Sequence, residues 1–145
     1  MKKKILMIFV VAVLITIPVF GATLPNETDA KELADKIITK ISSGDIDSGF
    51  NLMKPYIPLS GADIDAAAAK AKTQLEQYGK VYGKLIGFEY IDSRRIGDSL
   101  VRIRYVVKAE NTALTWIFIF YKGADGWALN NFEWQDKAAY LFEHN

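Results

Sequence analysis

Cysteine is absent from this 145-residue chain, histidine occurs once and proline four times. Without cysteine there is no disulfide framework, no thiolate nucleophile and no sulfur ligand for a metal. The one histidine, His144, stands beside the C-terminus. A serine hydrolase would therefore lack a base within its fold, and the pattern Gly-x-Ser-x-Gly does not occur. Glycine-rich phosphate loops are missing too. Asp45-Ile46-Asp47-Ser48-Gly49 opens like a calcium loop, but no acidic residue follows at the closing position, so it reads as turn and cap chemistry. Asn26-Glu27-Thr28 matches a glycosylation acceptor and reads as a helix cap. No metal, cofactor or catalytic residue is expected from this inventory.

A strong charge of one sign is also lacking, with 18 basic against 17 acidic side chains. Lys2, Lys3 and Lys4 precede an apolar run from Ile5 to Ile17, followed by Pro18 and Val19-Phe20-Gly21-Ala22. A basic head, a short apolar centre and small residues at the end make residues 1–22 a secretory signal peptide. Cleavage after Gly21 leaves Val19 at the minus-three position; cleavage after Ala22 leaves the bulkier Phe20 there. The rival reading is an uncleaved anchor, since Ile5 to Ala22 approaches the length that spans a bilayer. No cysteine is available for lipid anchoring. Export is thus to the periplasm or the outside, with no membrane association after removal of the signal. Loss of the three lysines leaves 15 basic against 17 acidic side chains, about −2, which offers no electrostatic footprint for nucleic acid. About 123 residues remain, enough for one domain to close a core without staples. Residues 23–25 are expected as a linker and 26–145 as a single α+β domain.

The first half of that domain has helical periodicity. Ala30, Leu33, Ala34, Ile37, Ile38 and Ile41 form one stripe, with Asn26 as cap and Gly44 as stop. A shorter helix covers Asp47 to Met53, ending before Pro55. A third starts at Ser60 or Asp63, presents Ile64, Ala67, Ala68, Ala71, Leu75 and Tyr78 on one side, and ends at Gly79. The second half switches to period two. Strands are expected over 84–93, 99–109, 114–121 and 126–134, joined at Gly97-Asp98, Glu110-Asn111 and Gly123. Connections this short force antiparallel neighbours and a four-stranded meander.

With Glu110 and Asn111 in the loop, Val107 faces Leu114, Tyr105 faces Trp116, Ile103 faces Phe118 and Val101 faces Phe120. All four pairs are apolar or aromatic. Strict alternation adds Ile86, Phe88, Tyr90, Phe132 and Trp134 to that face, which is assigned to the helices. The opposite face then carries Glu89, Ile91, Arg102, Arg104, Val106, Ile117, Ile119, Leu129, Asn131 and Glu133. Its charges exclude a dry core, while its isoleucines and Leu129 are too apolar for a simple solvated face.

Two constellations follow. Tyr90, Tyr105, Trp116 and Trp134, with Tyr56, Tyr78 or Tyr82 near the open end of the crevice, could hold a small apolar ligand while offering it a polar edge; ordinary core packing explains them equally. Glu89, Arg102, Arg104, Asn131 and Glu133, with Ile117, Ile119 and Leu129, form a candidate partner surface. Glu89 is expected opposite or diagonal to Arg104, which makes a cross-strand ion pair the plainer reading.

Three helices followed by a curved antiparallel sheet resemble the nuclear transport factor two-like domains of the cystatin-like cone fold. The resemblance is carried by Ser43-Gly44-Asp45 between the first helices, Tyr82-Gly83-Lys84-Leu85 entering the first strand, and Asp125-Gly126-Trp127-Ala128-Leu129 entering the last. It implies a roll of N-terminal helices on a four-stranded meander. It is closest in style to small exported bacterial members without an assigned activity, and lacks a recognisable acid–base pair of the enzyme members. The expected function is a non-enzymatic exported domain that binds a small ligand or a protein partner, as a homodimer through the mixed sheet face. Alternatives are a small lyase or isomerase working in the helix–sheet crevice, or a structural subunit of an envelope assembly.

Overall fold

The computed structural model describes residues 21–142. The leader up to Phe20, and His144, lie outside the described residues. Among those described, no helix is long and apolar enough to cross a membrane.

The helices begin where the chain supplies caps. In α1 (Glu27–Ser42), Asn26 accepts a hydrogen bond from the Asp29 backbone N–H at 2.9 Å, and the expected stripe from Ala30 to Ile41 is buried. In α2 (Ile46–Met53), Asp45 accepts from the Ser48 backbone N–H as the cap, while Asp47 pairs with Lys72 at 2.8 Å. In α3 (Gly61–Tyr82), Ser60 and Asp63 form a reciprocal capping box. This helix runs past Gly79. It stops instead at Gly83, whose φ of 75° closes the last turn through a 2.9 Å bond from its N–H to the Gly79 carbonyl. A Cβ at Gly83 would also lie 2.6 Å from Glu110 Oε2, which accepts the Lys84 N–H. α1 packs on the sheet, and α2 lies between α1 and α3.

The sheet is a meander of β1 (Leu85–Ile96), β2 (Leu100–Ala109), β3 (Ala113–Lys122) and β4 (Trp127–Gln135), antiparallel throughout and in sequence order. The β2–β3 register pairs Val107 with Leu114, Tyr105 with Trp116, Ile103 with Phe118 and Val101 with Phe120, as the loop assignment requires.

The outer strands depart from strict alternation. In β1, the register shifts around Ile86 and again around Ile91, so each is an extra residue without a partner on β2. Ile86 is consequently 60% exposed and leaves the helix face. Phe88 and Tyr90 stay on that face as expected, and Leu85 joins them in place of Ile86. A third irregularity, between Ile119 and Phe120, leaves Asn130 as the extra residue of β4. The side-chain parity of β4 therefore inverts at Asn130. Leu129, expected on the outer face, pairs with Phe120, is fully buried and belongs to the helix-side core; Asn131 and Glu133 remain outside, opposite Ile119 and Ile117.

The bulge at Ile91 also changes an ion pair. Glu89 lies opposite Val106 and meets Lys108 at 3.2 Å, whereas Arg104 receives Asp92 as its cross-strand partner. Residues 23–25, expected as a linker, are tied to the sheet. Leu24 and Trp127 exchange two backbone hydrogen bonds of 2.8 Å. Gly126, at φ 138°, permits this approach, since a Cβ there would come within 2.7 Å of the Leu24 carbonyl.

Candidate functional site

A cavity of about 250 Å³ opens between α3 and the sheet. Its floor is Trp116 and Trp134, paired across β3 and β4, with ring centroids 5.3 Å apart and planes 18° from parallel. Its helical wall is one face of α3: Ala71, Gln74, Leu75, Tyr78 and Tyr82 recur at the three- and four-residue steps that bring side chains onto one side. Tyr78 and Tyr82 stack at 5.2 Å. Ile41, Leu85, Val107 and Leu114 complete the apolar lining.

Two hydrogen bonds join polar groups of the lining. Trp134 Nε1 donates to Gln74 Oε1 at 2.7 Å, and the Tyr82 hydroxyl donates to Asp136 Oδ2 at 2.9 Å. Loss of solvent, and then the adjacent Asp136 carboxylate, pushes the Tyr82 phenol up to about 12. Tyr82 thus keeps its proton at neutral pH and serves as a donor. Asp136 supplies a carboxylate at the cavity mouth that makes no ion pair among the described residues.

The four aromatic residues singled out in the sequence fall into two places. Trp116 and Trp134 line the cavity. Tyr105 is buried in the core and donates to Asp35 Oδ1 at 2.7 Å, with burial, and then Asp35, holding its phenol far above the ordinary range. Tyr90 stands at the sheet margin, edge-on to Tyr105, with Lys31 Nζ 4.5 Å from its ring centre. Asp35 in turn binds Lys31 at 2.8 Å. Tyr90 and Tyr105 therefore belong to a polar latch between α1 and the sheet. Gln74 and Asp136 were not singled out, since a lone glutamine on a helix and an aspartate after a strand carry no local signal.

The outer face has its own hollow, lined by Ile96, Arg102, Arg104, Ile117, Ile119, Glu133 and Tyr140. Glu89 and Asn131 stand apart from it. A 3₁₀ turn, Ala138–Leu141, lies against β3 on this side. Arg104 is 2% exposed; its Nε donates to Asp92 Oδ1 at 2.7 Å, its Nη2 to Asp92 Oδ2, and its Nη1 to the Leu141 carbonyl at 2.9 Å. Ile117 is 3% exposed. The apolar part of the mixed face, for which a dimer interface, a partner surface or the overhanging end of a curled sheet were each open on sequence grounds, receives cover around Ile117 and Arg104 from the chain's own C-terminal segment.

The Arg104 hydrogen bond outweighs partial burial and holds the Asp92 carboxyl below its usual range. A carboxylate with a depressed folded pKa contributes stability above its unfolded pKa, about 3.9, and loses it as the pH falls through the folded value. Asp92→Asn should therefore be less stable than the parent at about pH 6, with the gap shrinking as the pH drops below about 4. Urea unfolding across that range checks this; a constant gap would show that Arg104 does not favour the ionised form.

No protein-family model and no curated protein matches the chain. Among solved structures, the crystal structure of a "Putative NTF2-like transpeptidase" from Campylobacter jejuni is similar at 18% sequence identity, over 71% of this chain and 98% of that one, with a TM-score of 0.46. Independently of that likeness, three helices followed by an open four-stranded antiparallel sheet is the element order expected of an NTF2-like α+β fold.

Proposed function

We propose that this NTF2-like α+β domain is an exported, non-enzymatic binding module that holds a small molecule with a flat apolar body in the crevice between α3 and the sheet. The observation that carries this reading is the cavity walled by Trp116, Trp134, Tyr78 and Tyr82, with Gln74, Gln135 and Asp136 among its lining residues as polar groups. Such a shape buries an apolar body and fixes its direction through a few hydrogen bonds. The lysine-headed apolar leader supports export. Transpeptidation, named for the Campylobacter protein, calls for a nucleophile; cysteine is absent here, and neither serine nor threonine lines the cavity.

The neutral dye N-phenyl-1-naphthylamine tests the reading. Its fluorescence should rise on titration with the protein, because the crevice removes it from water. Leu75→Trp places a larger side chain in the cavity wall and should weaken dye binding about tenfold or more, as expected when more than about 1.4 kcal/mol of apolar burial is lost. Circular dichroism and a thermal melt report whether the variant is folded. Dye binding that is equally strong in folded Leu75→Trp would overturn the assignment to this crevice, as would no binding to the parent.

A further inference from the structure

We propose that the crevice selects an organic cation, an amine or quaternary ammonium carried on an aromatic or alkyl body. The inference rests on the crevice being a small-molecule site and concerns what that site prefers. Its lining contains four aromatic side chains and one charged group, Asp136, with no lysine or arginine. Aromatic faces carry negative potential and attract cations, most strongly where water is displaced. The carboxylate adds charge of the same sign. Among the described residues its only hydrogen-bond donor from another side chain is the Tyr82 hydroxyl, and no lysine or arginine forms an ion pair with it. The Gln74 side-chain oxygen, already accepting from Trp134, is a further acceptor in the lining.

All these features act in one direction. An ammonium group at the rim would meet Asp136 and the edge of the aromatic wall while its body lies over Trp116 and Trp134. An anionic ligand of the same shape would meet a carboxylate and π faces with no cation to receive it. Because Tyr82 holds its proton up to about 12, it stays a neutral hydrogen-bond donor throughout the neutral range.

Three probes of one shape separate the outcomes: 3-phenylpropylammonium, 3-phenylpropan-1-ol and 3-phenylpropanoate, each titrated into the whole exported protein by isothermal calorimetry. The ammonium should bind about three- to tenfold more tightly than the alcohol, as expected from a partly hydrated cation–π contact and a rim ion pair, and the carboxylate should bind most weakly. Asp136→Asn should remove most of the preference for the ammonium while leaving alcohol binding in place. Added salt should also narrow the preference in the parent, independently of any variant. Equal or weaker binding of the ammonium than of the alcohol overturns the cation preference and leaves the crevice intact as a binding site. An undiminished preference in Asp136→Asn overturns the role of that carboxylate. If neither the alcohol nor N-phenyl-1-naphthylamine binds, the crevice itself is not a ligand site and the preference falls with it.

Discussion

Leu129→Asp should leave no cooperatively folded protein, while Asn131→Asp, two residues further along the same strand, should melt within about 0.5 kcal/mol of the parent. Leu129 is fully buried among the helix-side core residues and pairs with Phe120. Its backbone N–H also binds the Tyr56 carbonyl at 2.9 Å, which fixes the strand at that depth. An unpaired carboxylate there loses its hydration with nothing to replace it, at a cost of several kcal/mol. Protonation would relieve only part of that cost. A domain of this size has about 5–15 kcal/mol in total to lose. Asn131, beyond the bulge, is on the outer face and exposed. Strict alternation would put both residues on the same face and predict similar responses. Thermal melts of the two variants side by side decide the matter, and a Leu129→Asp protein with the parent's midpoint would refute the inversion at Asn130.

Phe50→Ala should cost about 3–5 kcal/mol and lower the melting midpoint by about 10–20 °C. Phe50 is on α2, 1% exposed, and its ring meets Trp116, Phe132 and Trp134 edge-on at 6.1, 5.5 and 5.9 Å. Those three rings come from β3 and β4, so one side chain joins the middle helix to the end of the sheet. Removing it takes away the buried area and the edge-to-face contacts, and leaves a cavity that rigid strands fill only in part. Trp116 and Trp134 also floor the crevice, so on the proposed reading dye binding should weaken in the same variant even at temperatures where it is folded. Phe50→Leu should recover most of the stability, because it restores much of the volume, and less of the binding. A Phe50→Ala midpoint within a few degrees of the parent would mean that this aromatic cluster does not hold α2 to the sheet.

The two departures that most change the outer face of the sheet arise from a single device. An extra residue at Ile91 gives Arg104 to Asp92 in place of Glu89, and an extra residue at Asn130 moves Leu129 from the outer face to the core. A bulge changes the face of every residue beyond it, so one unrecognised insertion turns a correct strand into a wrong side-chain assignment. Nothing local announces either one: Tyr90-Ile91-Asp92 and Leu129-Asn130-Asn131 read as ordinary strand. The crevice was legible in Trp116 and Trp134, which fall on a face that the β2–β3 loop had already assigned, and in Tyr78 and Tyr82, expected near its open end. Its hydrogen bonds were not, because Tyr82 and Asp136 are separated by 54 positions and Trp134 and Gln74 by 60.

What the sequence by itself determined is whatever depends on near neighbours: the capped helix stripe from Ala30 to Ile41, four strands joined by short turns, the antiparallel order those turns impose, and the register of β2 on β3. Helical and strand periods are properties of adjacent residues, and short connections leave little choice of partner. What only the tertiary structure decided is which face the outer strands present, what covers Ile117, and which polar atoms meet at the crevice mouth. Bulges and long-range hydrogen bonds are settled by how a twisted sheet, three helices and a C-terminal turn satisfy their packing together, and that balance is not written in any one segment.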